Sequence, residues 1–175
     1  MLDSKLQDAI NDQVNFEFYS SYLYLSMSSY YSSVSLNGFA NWMRIQAQEE
    51  LVHAMKLYDY IIERGGRATL EQVNKPVTDW NSPIAPFEQA YGHEQIVTSR
   101  INELMDLALK CKDHATVSFL KWFIDEQVEE EARASTIVDE LKLVKDSPNG
   151  LFMINRELAQ RVFVMPGSTT NNTGA

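Results

Sequence analysis

The chain has 175 residues, enough for one domain with a sizeable core. Apolar residues make up 45% and charged residues 22%, a globular balance that excludes a disordered chain. The formal net charge is −9 and no stretch is rich in Lys and Arg, which argues against a nucleic-acid surface and leaves cations as the favoured small partners.

The opening MLDSKLQDAINDQVN lacks the basic start and apolar centre of a secretory signal. Ser4 with Gln7 reads as a capping box, and a helical pattern then runs to about Ser33. A second helix starts near Asn37 and stops at the Gly65-Gly66 pair. Residues 66–82 form the one long non-helical segment, and a loop of this length in a compact domain needs a reason. Fully extended it reaches roughly 56 Å at ~3.3 Å per residue. That exceeds the roughly 42 Å of a helix of about 28 residues. The loop can therefore run the whole length of a bundle, while short links make helices one and two antiparallel, and likewise three and four. Ser82-Pro83 supplies an N-cap and a first-turn proline for the third helix, which reaches about Lys110.

The single cysteine, Cys111, allows neither an intrachain disulfide nor a thiolate metal site, and fits a reducing, cytoplasmic setting. Asp113 caps a fourth helix that ends before the breaker cluster SPNG at 147–150. A short fifth pattern carries Leu151, Ile154, Leu158 and Val162 on one stripe. No apolar run approaches the ~18 residues of a membrane span. The expected architecture is all-α: a four-helix bundle with one long crossover between helices two and three, plus a short fifth helix. It occupies residues 1–165, and PGSTTNNTGA at 166–175 is expected to be a disordered polar tail.

Each long helix carries an apolar lane at seven-residue steps, and each lane is interrupted once by glutamate. The lanes are Ile10, Glu17, Tyr24, Tyr31; Met43, Glu50, Leu57; Phe87, Glu94, Ile101, Ala108; and Phe123, Glu130, Ile137, Val144. A fifth lane, Leu120, Gln127, Ala134, Leu141, runs beside the last. Seven residues drift only ~20° on a straight helix, so each set stays on one face. All four glutamates lie close to mid-helix, so they meet at the bundle waist whichever way each helix runs. His53 sits one turn after Glu50.

One glutamate in an apolar lane usually reaches water at the lane's edge, and DEQVEEEA at 125–132 alone would read as a solvated acidic face. Four at one level are a different matter. Two like charges ~4 Å apart repel by roughly 4 kcal/mol at an effective dielectric near 20, and the lanes contain no basic residue. Protonation of some carboxyls would relieve the strain. Two divalent ions would neutralise all four, with His53 adding a nitrogen ligand. Oxygen-rich ligation without sulfur suits Fe or Mn better than structural Zn. His93 and His114 have no such argument and are expected to be structural or exposed, and Tyr24 and Trp122 read equally well as plain core.

Over about residues 3 to 163 the chain resembles non-haem bacterial-type ferritin. The carriers are the helix-one glutamate, E-E-L-V-H on helix two, Glu94 on helix three, E-Q-V-E-E on helix four, the crossover and the fifth helix. The resemblance implies iron storage and detoxification in a hollow homo-oligomeric shell of 24 subunits, with a ferroxidase centre in each bundle using O2 or H2O2. It places the first iron on Glu17, Glu50 and His53. Glu50 bridges to a second iron on Glu94 and Glu130, and Gln127 sits beside that second iron. Glu49, Glu126, Glu129 and Glu130 resemble a third iron site, and Tyr24 resembles a tyrosine that donates an electron. Haem-binding relatives carry a second E-x-x-H where this chain has Gln127 and Glu130, and a haem-ligating Met where it has Leu51, so no haem is expected. Val117 and Leu120 stand where animal ferritins have acidic residues of the threefold channels. Rival readings are a non-storing di-iron or di-manganese redox enzyme, a structural bundle with a protonated waist, and a DNA-protecting mini-ferritin.

Overall fold

A computed structural model describes residues 2–165; the tail expected at 166–175 lies outside the described residues. Among the described residues five helices and no strand occur: α1 (Ser4–Ser33), α2 (Asn37–Glu63), α3 (Ala85–Lys110), α4 (His114–Leu143) and α5 (Pro148–Leu158). None is long and apolar enough to cross a membrane.

Local chemistry sets most of the helix starts. The α1 cap is Asp3 rather than Ser4: its carboxylate accepts from Lys5 N at 2.9 Å and Leu6 N at 3.4 Å, making Ser4 the first helical residue. Asp113 caps α4 by accepting from Thr116 N at 3.0 Å, and Ser147 caps α5 by accepting from Gly150 N at 3.1 Å. Ser82 does not cap α3. That helix begins at Ala85 with Pro86 in its first turn, and Pro86 has no N–H with which to close an α-helical bond onto Ser82 O. Ser82 O accepts Ala85 N in a turn, and Pro83 O accepts the Tyr31 hydroxyl at 2.6 Å.

The first three helices end in one motif. Ser35, Gly65 and Lys112 take left-handed φ values of 63°, 74° and 55°. Each lets the next N–H reach back five residues: Leu36 to Tyr31 O, Gly66 to Ile61 O and Asp113 to Ala108 O, at 2.9–3.0 Å. Two of these reversals join α1 to α2 and α3 to α4 as antiparallel hairpins. The third opens the crossover, which lies along α1. Asn11 Nδ2 donates to Arg67 O at 3.1 Å and Asn15 Nδ2 to Thr69 O at 3.0 Å, with Thr69 N and Glu71 N returning bonds to the same two side chains. Farther up, Ser26 holds Val77 O and Tyr31 holds Pro83 O. The loop thus delivers α3 to the end of the bundle opposite its own start.

The apolar interior is two clusters rather than one. Tyr31, Phe39, Met43, Phe87, Leu141 and Ile154 belong to the first. Leu6, Ile10, Leu57, Ile61, Ile101 and Phe123 belong to the second. The four lane glutamates stand between the two sets in sequence on every helix, which puts a polar belt between them.

Helix α5 closes one end by close backbone approach to α2. Gly38 N donates to Asn155 Oδ1 at 2.8 Å, and a Cβ on Gly38 would lie 1.6 Å from Asn155 O. The expected apolar stripe of α5 stops at Leu158. Val162 lies past the helix end and is exposed, because Asn41 Nδ2 has caught the Leu158 and Arg161 carbonyls instead. Gly38→Ala is therefore expected to force α5 off its seat and to cost about 1–3 kcal/mol in a denaturant melt. An unchanged midpoint would contradict the close approach.

Candidate metal centre

Helices α1 and α2 bring Glu17, Glu50 and His53 together so that one ligand atom from each lies within 4.8 Å of the others. His53 Nδ1 is 3.5 Å from Glu50 Oε2, an i,i+3 pair on one helix face. Glu94 from α3 and Glu130 from α4 occupy the same dry belt: all five residues are at most 1% exposed. The four lanes therefore deliver their carboxylates to one buried region, as the heptad spacing requires.

Neutral donors hold most of these oxygens. Gln13 Nε2 donates to Glu17 Oε1 at 2.7 Å. Its amide is oriented from the other side by Arg100 Nε, 2.8 Å from Gln13 Oε1. Gln46 Nε2 bridges Glu50 Oε1 at 3.0 Å and Glu130 Oε2 at 2.7 Å, tying α2 to α4 across the belt. Glu94 takes the Tyr24 hydroxyl on one oxygen and Gln127 Nε2 on the other, the latter at 3.1 Å. Trp122 and Phe123 pack edge-on against the His53 ring, with centroids 5.4 and 6.0 Å away.

Two buried polar atoms are left without a hydrogen bond among the described residues: Glu17 Oε2 and His53 Nε2. An unmet buried acceptor costs roughly 1–3 kcal/mol, and both belong to the three-residue group above. Electrostatics point the same way. Burial, and then the charge of Glu50, pushes the Glu17 carboxyl up to about 8. Burial, and then Glu130, pushes Glu50 up to about 8. Glu94 is also raised, by burial and then by Glu50 and Glu130. The same crowding raises the Tyr24 phenol, through burial first and Glu94 second. In the absence of a cation Glu17 and Glu50 would keep protons at neutral pH, and a divalent ion would release them in exchange for its own charge. An oxygen-rich set with one imidazole and two unpartnered buried atoms fits hard or borderline divalent ions such as Fe(II) and Mn(II).

The remaining sequence candidates fall outside this group. Glu49 lies at the edge of the belt, where it accepts from Arg161. Glu126, Glu129 and Glu130 all face Arg133. His93 is buried with its Nε2 2.7 Å from Ser20 Oγ and its ring stacked on Phe16; burial holds it down to about 4. His114 is exposed. Leu120 is fully buried in the core, and Val117 packs against the same cluster. Arg133, Arg161, Gln13 and Gln46 escaped the sequence reading. The first was detectable, since it follows Glu126, Glu129 and Glu130 by seven, four and three residues. Arg161 had no helical register to announce it.

Comparison with known proteins agrees over nearly the whole length. The sequence model of the ferritin-like domain family matches residues 7–144. A bacterial non-heme ferritin of Staphylococcus saprophyticus is 45% identical over 163 residues, covering 93% of this chain and 98% of the relative. A bacterial non-heme ferritin of Bacteroides fragilis is 46% identical over 161 residues, covering 92% and 100%. Among solved structures, a closed form of the Archaeoglobus fulgidus ferritin engineered by site-directed mutagenesis superposes with a TM-score of 0.92 at 50% identity, covering 94% of this chain and 100% of that one. The open pore ferritin of the same archaeon gives 0.91 at 50% identity, covering 93% and 99%. By family model, by relatives and by bundle, this chain belongs to the ferritin family.

Proposed function

We propose that this protein stores and detoxifies iron by acting as a ferroxidase: it binds Fe(II) at the bundle waist, oxidises it, and deposits ferric oxide inside a 24-subunit shell of its own copies, in a reducing cytoplasm. The observation that carries the reading is the pair of unpartnered buried atoms, Glu17 Oε2 and His53 Nε2, beside Glu50 in a belt that is dry and acidic.

Glu17, Glu50 and His53 would hold one Fe(II), with Glu50 shared toward a second held by Glu94 and Glu130. The residues do three things. They release protons as the ions arrive, so that charge enters a neutral belt rather than an anionic one. They favour the oxidised product, since anionic oxygen gains more from Fe(III) than from Fe(II). They keep bulk water away, because Trp122, Phe123 and the two core clusters enclose the belt. Two Fe(II) give up two electrons, and O2 with two protons becomes H2O2; hydrolysis of the Fe(III) then yields mineral and further protons. Gln127 and Tyr24 grip Glu94 from both sides and orient it. In this reading Tyr24 is also placed to supply an electron.

Aerobic Fe(II) titration followed by sedimentation tests the assignment. Wild-type protein is expected to oxidise two Fe(II) per chain quickly and to sediment as a particle of about 24 chains of 20.0 kDa. Glu50→Ala is expected to lose the fast phase by at least about 100-fold, since even outer-shell partners of metal ligands are worth 10–100-fold. Its particle mass should be unchanged. Wild-type initial rates in that variant would refute the site, and a dimeric particle would refute storage.

The raised carboxyls give the metal-free protein a signed pH dependence. Between the ordinary carboxylate value of 4.5 and about 8, the unfolded chain has lost protons that folded Glu17 and Glu50 still hold. The unfolded state then binds fewer protons, so stability falls as pH rises through this window. Calorimetry of metal-free protein should show the fall, and Glu50→Gln, which removes one such proton, should flatten it. A melting temperature that rises from pH 5 to 8 equally in both proteins would contradict the account.

A further inference from the structure

The carboxylates that resemble a third iron site do not stand open in this chain. Arg133 lies among three of them. Its Nη1 is 2.8 Å from Glu130 Oε1 and 3.9 Å from Glu126 Oε1, and its Nη2 is 2.6 Å from Glu129 Oε2. The fourth, Glu49, is taken by Arg161. That second guanidinium also donates to Gln46 Oε1 at 2.9 Å and lies 4.3 Å over the Trp42 ring. Gln46 in turn donates to Glu50 and Glu130, so the two arginines bracket the α2–α4 side of the belt.

We infer that Arg133 stands in for the third cation, so that this chain takes two divalent ions per subunit and not three. A guanidinium stays charged at every physiological pH, and its planar fork matches two carboxylates at once. Arg133 reaches its partners from the same helix, three, four and seven residues on, so no separate element must dock to place it. A divalent ion at that position would have to expel the guanidinium and then sit beside it. Arg133 remains 40% exposed, which is what allows its removal without opening a core cavity. The donor set at the waist is different: among the described residues no Lys or Arg side chain pairs with Glu17 or Glu50.

The inference rests on the waist being a divalent-ion centre, and the test separates the two. Anaerobic calorimetric titration with Zn(II), a redox-inert divalent ion, counts sites without any turnover. Wild type is expected to bind two ions per chain, Arg133→Ala three, and Arg133→Ala with Glu129→Gln two again. Three ions in wild type, or only two in Arg133→Ala, would overturn the role of Arg133. Fewer than two in wild type would overturn the waist reading itself and this inference with it.

Discussion

Four carboxylates carried by four different helices share one dry cross-section of the bundle, and the rest of the molecule accommodates the charge they create. A core that buried only apolar side chains would be continuous from end to end. Here it is interrupted at Glu17, Glu50, Glu94 and Glu130 and resumes on the far side. The interruption is destabilising unless a cation balances it, because burial lifts Glu17 and Glu50 to about 8 and leaves two polar atoms unmet. The two flanking clusters offset that cost. They are rich in ring contacts, such as Tyr60 stacked on Phe119 at 3.8 Å and Trp42 tilted against Phe87 at 5.0 Å.

Neutral amides make the belt tolerable without filling it. Gln13, Gln46 and Gln127 each donate to a waist carboxylate while carrying no charge of their own. Their positions on α1, α2 and α4 fix the acids from three sides. Arg100 and Arg161 act one step farther out, orienting Gln13 and Gln46 rather than neutralising the acids behind them. Arg133 differs, because it touches Glu130 directly. The result is a gradient: basic charge on the α2–α4 side, and bare ligand atoms near Glu17 and His53.

Much of this was legible in the sequence because heptad spacing and helix length are geometric. The lanes alone place Glu17, Glu50, Glu94 and Glu130 at one level, and the length of 66–82 requires a crossover along a helix. Chain reversals were harder to see. Gly65 signals a left-handed residue, but Ser35 and Lys112 adopt the same conformation with ordinary side chains, held there by the bonds of their neighbours. The expected start failed at Ser82, because the N–H its carbonyl would need four residues on belongs to Pro86, which has none. Arg133 was overlooked for another reason. It lies outside the apolar lanes, on the adjacent face, and reaches over them with its long side chain. Arg161 depends on α5 docking against Gly38, a tertiary event that no local pattern encodes.

The central claim is that negative charge in this belt is balanced by bound cations at defined positions. Anomalous diffraction from crystals of the metal-free protein soaked anaerobically in Mn(II) reads those positions directly. The account predicts two peaks per chain, one within coordination distance of Glu17, Glu50 and His53 and one between Glu94 and Glu130, with Glu50 touching both. A waist without anomalous density under saturating metal, with ions only at surface carboxylates, would contradict it.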